Sequence, residues 1–268
     1  MTKYWSVFGV GIQNNLTYRV NFLARALFGL IPLLAMLYLW RTIFEGQGSG
    51  ASISGYTLSQ MISYYLIVQI VDALTAVNED DWQIASDIRD GMISQFLLKP
   101  VDYLWYRFSL FVAGRITYIG VAGIPLLLFF LWMREHLVPP ENAELFGLFV
   151  VSLAMTALLQ FLISYAMAML AFWVLEVSTF IFILYAFEYL ASGHLFPLDI
   201  LPRGLQTVLE FTPFPYQLYF PISLYMGRVE GDAVWRGLLI QAGWVVLAYL
   251  AARFMWQRGI RRYEAVGG

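Results

Sequence analysis

Three groups of side chains in this sequence have types and spacing that could do chemistry. The first is the polar series Asp80, Gln83, Asp87, Asp90 and Ser94, spaced three and four apart so that one helical face carries them all. A stripe of this kind suits docking on a partner; the plainer reading is a solvated helix resting on a bilayer. The second group is the ionisable residues inside long apolar runs: Asp72, Glu176 and Glu188. Glu188 stands ten residues beyond Ser178, ~15 Å along a helix and close to the middle of a bilayer core. A carboxylate facing lipid there would cost several kcal/mol, so it is expected to face other helices, the pathway or a partner cation, or else to be protonated; the plainer reading is a hydrogen bond to a nearby Tyr or Ser. Asp72 and Glu176 are expected to reach water, Asp72 near a span end and Glu176 at a turn. Ser192 and His194 are grouped with Glu188 as candidate residues of a substrate path or interface. The third group is His136 and His194, the only two histidines. They have no spaced ligand companions, so no metal site is expected.

Other chemistries are excluded by what is missing. No Gly-rich loop ends in Gly-Lys-Ser/Thr, so ATP is not bound in the P-loop manner. Gly9-Val10-Gly11 lacks a preceding strand and a third glycine, and no Gly-x-Ser-x-Gly elbow occurs. The absence of cysteine removes disulfides, thiolate metal sites and cysteine nucleophiles together. A net charge of −2 offers no field for nucleic acid. The chain is expected to be no enzyme and to hold no cofactor or metal of its own.

The elements that must position these residues are membrane helices. The 268 residues are 60% hydrophobic and 13% charged, against about 45–50% and 25% in soluble domains. Mean hydropathy is +0.67. A water-soluble globular enzyme is thereby excluded. Residues 1–25 place Trp5, Phe8, Ile12, Leu16 and Leu23 at helical spacing opposite polar positions, the pattern of a helix lying in the membrane interface. An irregular tail is the alternative. Spans follow at about 26–44, with Pro32 as a kink, at 56–77 and at 103–133. The apolar run 145–187 has 43 residues, ~64 Å of helix against a ~30 Å core. It must therefore fold back once, at Glu176, giving spans at 146–174 and 178–195. A sixth covers 233–256. The fold class is all-α and polytopic: an interfacial helix plus six spans. No internal repeat is apparent.

Two connections carry most of the information. Residues 79–100 form a charged amphipathic segment, with Ile84, Ile88, Met92 and Phe96 on its apolar face, Gly91 as a weak point and Lys99-Pro100 as its stop. Residues 196–230 include Pro197, Pro202, Pro213, Pro215 and Pro221, yet stay apolar and aromatic. So many prolines forbid one regular helix. Short helices re-entering the outer leaflet reconcile the broken backbone with its apolar surface, and a small folded outer cap is the duller option. With both termini cytoplasmic, eleven of the sixteen Lys and Arg residues fall on the inner side and five on the outer, which sets the orientation.

At these positions the chain resembles the ABC-2 type permeases. Glu79-Asp80-Asp81, Ile88-Arg89-Asp90-Gly91 and Phe96-Leu97-Leu98-Lys99-Pro100, followed by Arg107, resemble that family's cytoplasmic coupling loop. Ser192-Gly193, Phe196-Pro197, Leu201-Pro202, Thr212-Pro213-Phe214 and Pro221 resemble its outer re-entrant segment. The resemblance covers essentially the whole chain as a single transmembrane domain and is closest to permeases that occur as two different chains with one ATPase. It implies that Asp80, Gln83, Asp87, Arg89, Asp90, Gly91, Lys99 and Pro100 dock an ATPase subunit that holds ATP and magnesium. It further implies a second permease, identical or homologous, surrounding lipid, and residence in a bacterial plasma membrane. The implied activity is export of an amphipathic or lipid-like substrate. An ion-coupled secondary transporter and a non-transporting scaffold are the competing readings.

Overall fold

The computed structural model describes residues 2–48, 52–77 and 80–263, and every regular element longer than a bridge is a helix. The N-terminal part comprises α1 (Thr2–Thr17), α2 (Arg19–Gln47) and α3 (Leu58–Thr75). The connection after α3 holds α4 (Asp80–Arg89) and α5 (Ile93–Leu97), followed by α6 (Tyr103–Trp132) and α7 (Ala143–Ala168). Then come α8 (Ser178–Ala191), the short α9 (Arg203–Glu210) and α10 (Tyr219–Tyr225), and finally α11 (Asp232–Ile260).

Local chemistry sets these boundaries. Thr57 and Gln60 form a reciprocal capping box that starts α3. The Asp102 carboxylate accepts the Leu104 and Trp105 amides at the start of α6, and Asn142 does the same for Leu145 in α7. In the connection between α8 and α11 the prolines fall where a helix tolerates them: Pro202 is the N-cap of α9 and Pro221 lies in the first turn of α10. Gly91 takes φ +77° and divides the charged segment into α4 and α5. The single amphipathic helix expected there is thus two helices.

Among the described residues five helices are long and apolar enough to cross a membrane: α2, α3, α6, α7 with its 3-10 extension to Phe172, and α11. The chain is an all-α polytopic membrane protein. Two expectations need adjustment. The interfacial helix stops at Thr17 rather than Arg25, because nothing in 19–25 breaks a helix and α2 absorbs that stretch. The fifth span also stops early, at Ala191 rather than Leu195, after ~21 Å of helix. Gly193 has φ +99° there, and a Cβ on it would lie 2.6 Å from Tyr64 Oη. The backbone turns in direct contact with α3, and only glycine fits.

α3 is the central helix, with Tyr64, Leu66, Ile67 and Val71 fully buried against Phe149, Leu159, Leu218, Ile222 and Leu224. Lipid is as apolar as leucine, so helix association in a bilayer depends on close packing and polar anchors rather than on leaving water. Gly11 supplies close packing of α1 on α6, since a Cβ on it would meet the Ala113 Cβ at 2.9 Å. Gln241 supplies an anchor. Fully buried on α11, it accepts from Ser152 Oγ at 2.8 Å, and its amide nitrogen faces the carbonyls of Ser152 at 3.0 Å and Tyr216 at 2.9 Å.

The broken segment after α8 packs back onto α3 at two levels. The Tyr64 and Tyr65 hydroxyls, halfway along α3, each donate to a carbonyl, of Gly193 and Leu195, at 2.7 Å. Beyond the start of α3, the Asp199 carboxylate accepts from the Tyr56 hydroxyl at 2.8 Å, the Tyr219 hydroxyl and Arg228 Nε at 3.2 Å. The Arg228 guanidinium also covers the Tyr56 ring, 3.7 Å from its centroid. The segment is held along half the length of α3.

Candidate functional site

The residues with functional potential fall into two clusters joined by α4. The first surrounds α4 itself. Ile84, Ala85, Ile88 and Ile93 are buried against Phe161, Leu162, Tyr165 and Met169, so the apolar face predicted for this segment docks on α7 and its 3-10 extension. Of the apolar positions expected with them, Met92 and Trp82 remain substantially exposed. Glu79 lies outside the described residues, and Asp80 begins α4 with its side chain outside them.

The acidic stripe does not face outward as one surface. Asp87 is turned inward, 9% exposed. It accepts Gln83 Nε2 at 3.0 Å and the Tyr103 hydroxyl at 2.8 Å, and faces Arg107 Nη1 at 3.5 Å. Arg107 is itself 5% exposed. Asp87 has the four-residue offset from Gln83 expected from the sequence, but on that side α6 presents a buried arginine. Arg89 and Asp90 are exposed, and Asp90 accepts the Ser86 hydroxyl at 2.6 Å. Gly91 accepts the Tyr263 hydroxyl through its carbonyl at 2.8 Å, which ties the break in the segment to the end of α11. Lys99 is exposed with its ammonium over the Phe96 ring, and the Pro100 carbonyl accepts from Lys3 of α1.

The second cluster lies between α3, α7, α8 and the turn after α8. A cavity of ≈ 250 Å³ is lined by Asp72, Ala76, Val77, Gln160, Ser164, Tyr185, Glu188, Tyr189 and His194. His194 Nε2 stands 3.0 Å from Asp72 Oδ1, and its Nδ1 stands 2.7 Å from Ser192 Oγ. The Tyr189 ring stacks on the imidazole with centroids 5.3 Å apart. Serine, histidine and aspartate in a row suggest acyl-transfer chemistry. Ser192, however, is fully buried, and no reacting carbonyl reaches it. The row instead fixes the orientation and tautomer of His194.

Glu188, Ser192 and His194 are therefore brought together, as the sequence grouped them. Asp72 joins them, contrary to the expectation that it merely reaches water. Its position on the last full turn of α3 puts it beside the turn that Gly193 makes possible. Asp81 was missed as well: it is 1% exposed and accepts the Tyr185 hydroxyl, which connects the start of α4 to α8 and to this cavity. Only the presence of three consecutive acids at 79–81 hinted that one of them would be turned inward. Glu176 closes the α7–α8 turn, where its carboxylate accepts the Ser178 amide at 3.1 Å.

A family model described as "ABC-2 family transporter protein" matches residues 30–267. The chain belongs to this family. No curated protein and no solved structure matches it. As an ABC-2 family member it is the membrane permease of an ABC transporter, a transport component rather than a catalytic one, and families of this kind work with an ATPase subunit. In this permease the match takes in both clusters and the broken segment between α8 and α11. It leaves out α1, the helix that closes on α6.

Proposed function

We propose that this permease forms the membrane half of an ATP-driven exporter whose ATPase is a separate subunit docking on α4 and α5. The docking surface would comprise Asp80, Gln83, Arg89, Asp90, Gly91, Lys99 and Pro100, with Asp87 holding the helix from behind. ATP and magnesium belong to the partner, because this chain carries no phosphate loop. A second permease, identical or homologous, completes the pathway. The substrate is amphipathic or lipid-like, and the complex sits in a bacterial plasma membrane with both termini in the cytoplasm.

One observation supports this reading above the others: α4 is fastened on three sides. Its apolar face lies on α7, Asp87 ties it to Tyr103 and Arg107 of α6, and Asp81 ties it to Tyr185 of α8. A helix held in this way passes a push from outside to three spans at once, whereas a helix merely resting on a bilayer needs none of these bonds.

The test is co-purification of the cognate ATPase with variants of the exposed face. The double variant Arg89→Glu, Asp90→Lys should lose ATPase and ATP-driven transport while inserting normally. Undiminished complex yield would remove docking from α4. Orientation is tested on the same cysteine-free chain: Arg203→Cys should react with an impermeant thiol reagent added to intact cells. Labelling only after permeabilisation would invert the topology.

A further inference from the structure

The cavity between α3, α7 and α8 has an excess of hydrogen-bond acceptors. Gln160 is 6% exposed, lines the cavity, and its Oε1 accepts no hydrogen bond. A buried amide oxygen left in this way costs about 1–3 kcal/mol, so native proteins leave few of them. The Glu188 carboxylate, on the same cavity, also accepts no hydrogen bond among the described residues. Asp72 uses one oxygen toward His194 and is 28% exposed at the side chain, toward the same space. Of the donors on or beside this cavity, the Tyr185 hydroxyl goes to Asp81 and the Ser192 hydroxyl stands at His194. Two acidic side chains and one imidazole share this space.

We infer that this cavity binds a hydrogen-bond-donating ammonium group, held by the carboxylates of Asp72 and Glu188 and by the amide oxygen of Gln160. A primary ammonium has three N–H donors on one small cation, which matches three acceptors of which two are charged. A quaternary ammonium has the charge but no donor and leaves Gln160 unanswered. The Tyr189 and Tyr185 rings beside the site suit the alkyl carbons next to the nitrogen. This inference rests on reading the chain as a transport permease and gives its substrate a chemical class: an amphiphile with a primary amine. The amine can come from a free lipophilic amine or from an aminophospholipid headgroup, and the chemistry is shared.

The test uses the purified full-length permease in detergent, titrated with hexylamine, hexyltrimethylammonium and hexanol at neutral pH, with binding read calorimetrically. Hexylamine is expected to bind saturably, and the other two at least about 10-fold more weakly, the loss set by charge-assisted hydrogen bonds. Glu188→Gln and Asp72→Asn should each weaken hexylamine about 10- to 100-fold. Gln160→Met keeps volume and removes the acceptor, which provides a variant at the same cavity that leaves both carboxylates in place. Equal binding of hexylamine and hexyltrimethylammonium would overturn the inference, as would unchanged hexylamine affinity in folded Gln160→Met. Nanodiscs of phosphatidylethanolamine, compared with phosphatidylcholine, distinguish the sources. Competition by the former assigns the site to a headgroup, and its absence assigns it to a free amine; both outcomes uphold an ammonium site. The binding assay contains no ATPase, so failure of docking on α4 would leave it untouched and failure of this site would leave docking untouched.

Discussion

Removing the Asp87 carboxylate should destabilise the α4 end of the permease before it affects anything at the surface. Asp87 and Arg107 have side-chain exposures of 12% and 6%. Breaking a buried pair by deleting one partner costs about 3–5 kcal/mol, because the remaining charge stays out of water. Arg107 keeps further contacts, which places Asp87→Ala toward the lower end, ~3 kcal/mol. The Tyr103 hydroxyl loses its acceptor in the same step. On a chain of this size ~3 kcal/mol corresponds to a fall in melting temperature on the order of 10 °C. Asp87→Asn keeps an acceptor for Tyr103 and should lose roughly half as much. Asp90→Lys provides the contrast: that side chain is 59% exposed, and exposed changes cost about 0.5 kcal/mol or less. Fluorescence-detected size exclusion after heating in detergent reads all three. An Asp87→Ala protein that melts with the wild type would refute the claim that the pair is a structural tie, and the residue would return to the candidate docking surface.

Three further outcomes follow from the outer half and the core. Gly193→Ala meets both a left-handed backbone and Tyr64 Oη at 2.6 Å, and should cost about 2 kcal/mol or more. Adding Tyr64→Phe should recover part of the monodisperse yield, and no recovery would locate the damage elsewhere. Gln241→Leu leaves the Tyr216 and Ser152 carbonyls and the Ser152 hydroxyl without their buried partner, so melting should fall by roughly 1–3 kcal/mol equivalent, with Gln241→Glu no better. Asp199→Asn keeps the shape but removes the charge that Arg228 faces at 3.2 Å. It should raise protease cleavage within residues 198–225, whereas an unchanged digest would mean that the Tyr56 and Tyr219 hydroxyls suffice.

Helix starts follow residues that dictate local geometry, although hydropathy alone places the spans. Asp102, Asn142 and the Thr57–Gln60 pair start helices because their side chains satisfy amides that nothing else reaches. The length of the 145–187 run demanded a reversal, and the chain reverses between Phe172 and Ser178, beside Glu176. The end of α8 was not legible, because Ser192-Gly193 ends a helix only when α3 offers Tyr64 against which the turn can close. Apolar content alone continued the span to Leu195. The boundary of α1 failed for the opposite reason: hydropathy placed Arg19 and Arg25 outside a span, but Arg25 lines a polar cavity with Arg107 and Arg115, so the helix tolerates it.

The site was legible in part of its membership and illegible in direction. A spacing of three and four puts Gln83 and Asp87 on adjoining positions of α4, with Asp90 just past its end, but does not say which side of that face meets α6. Direction depends on Arg107, whose own burial depends on Tyr103 and on α7 behind it. The same reasoning explains Asp72 and Asp81. Each is one charged residue in a span or loop when taken alone, and becomes interpretable only when His194 or Tyr185 arrives from more than a hundred positions away. These two bonds matter together. Asp81 binds α8 to α4, and Asp72 binds the turn after α8 to α3, so α8 is fastened at two levels to the elements that flank the 76–79 connection. Movement of α4 therefore reaches Tyr185 as well as α6 and α7, and Tyr185 stands three residues from Glu188 on the same helix. Displacement of α4 would, through this bond, also change the shape of the polar cavity.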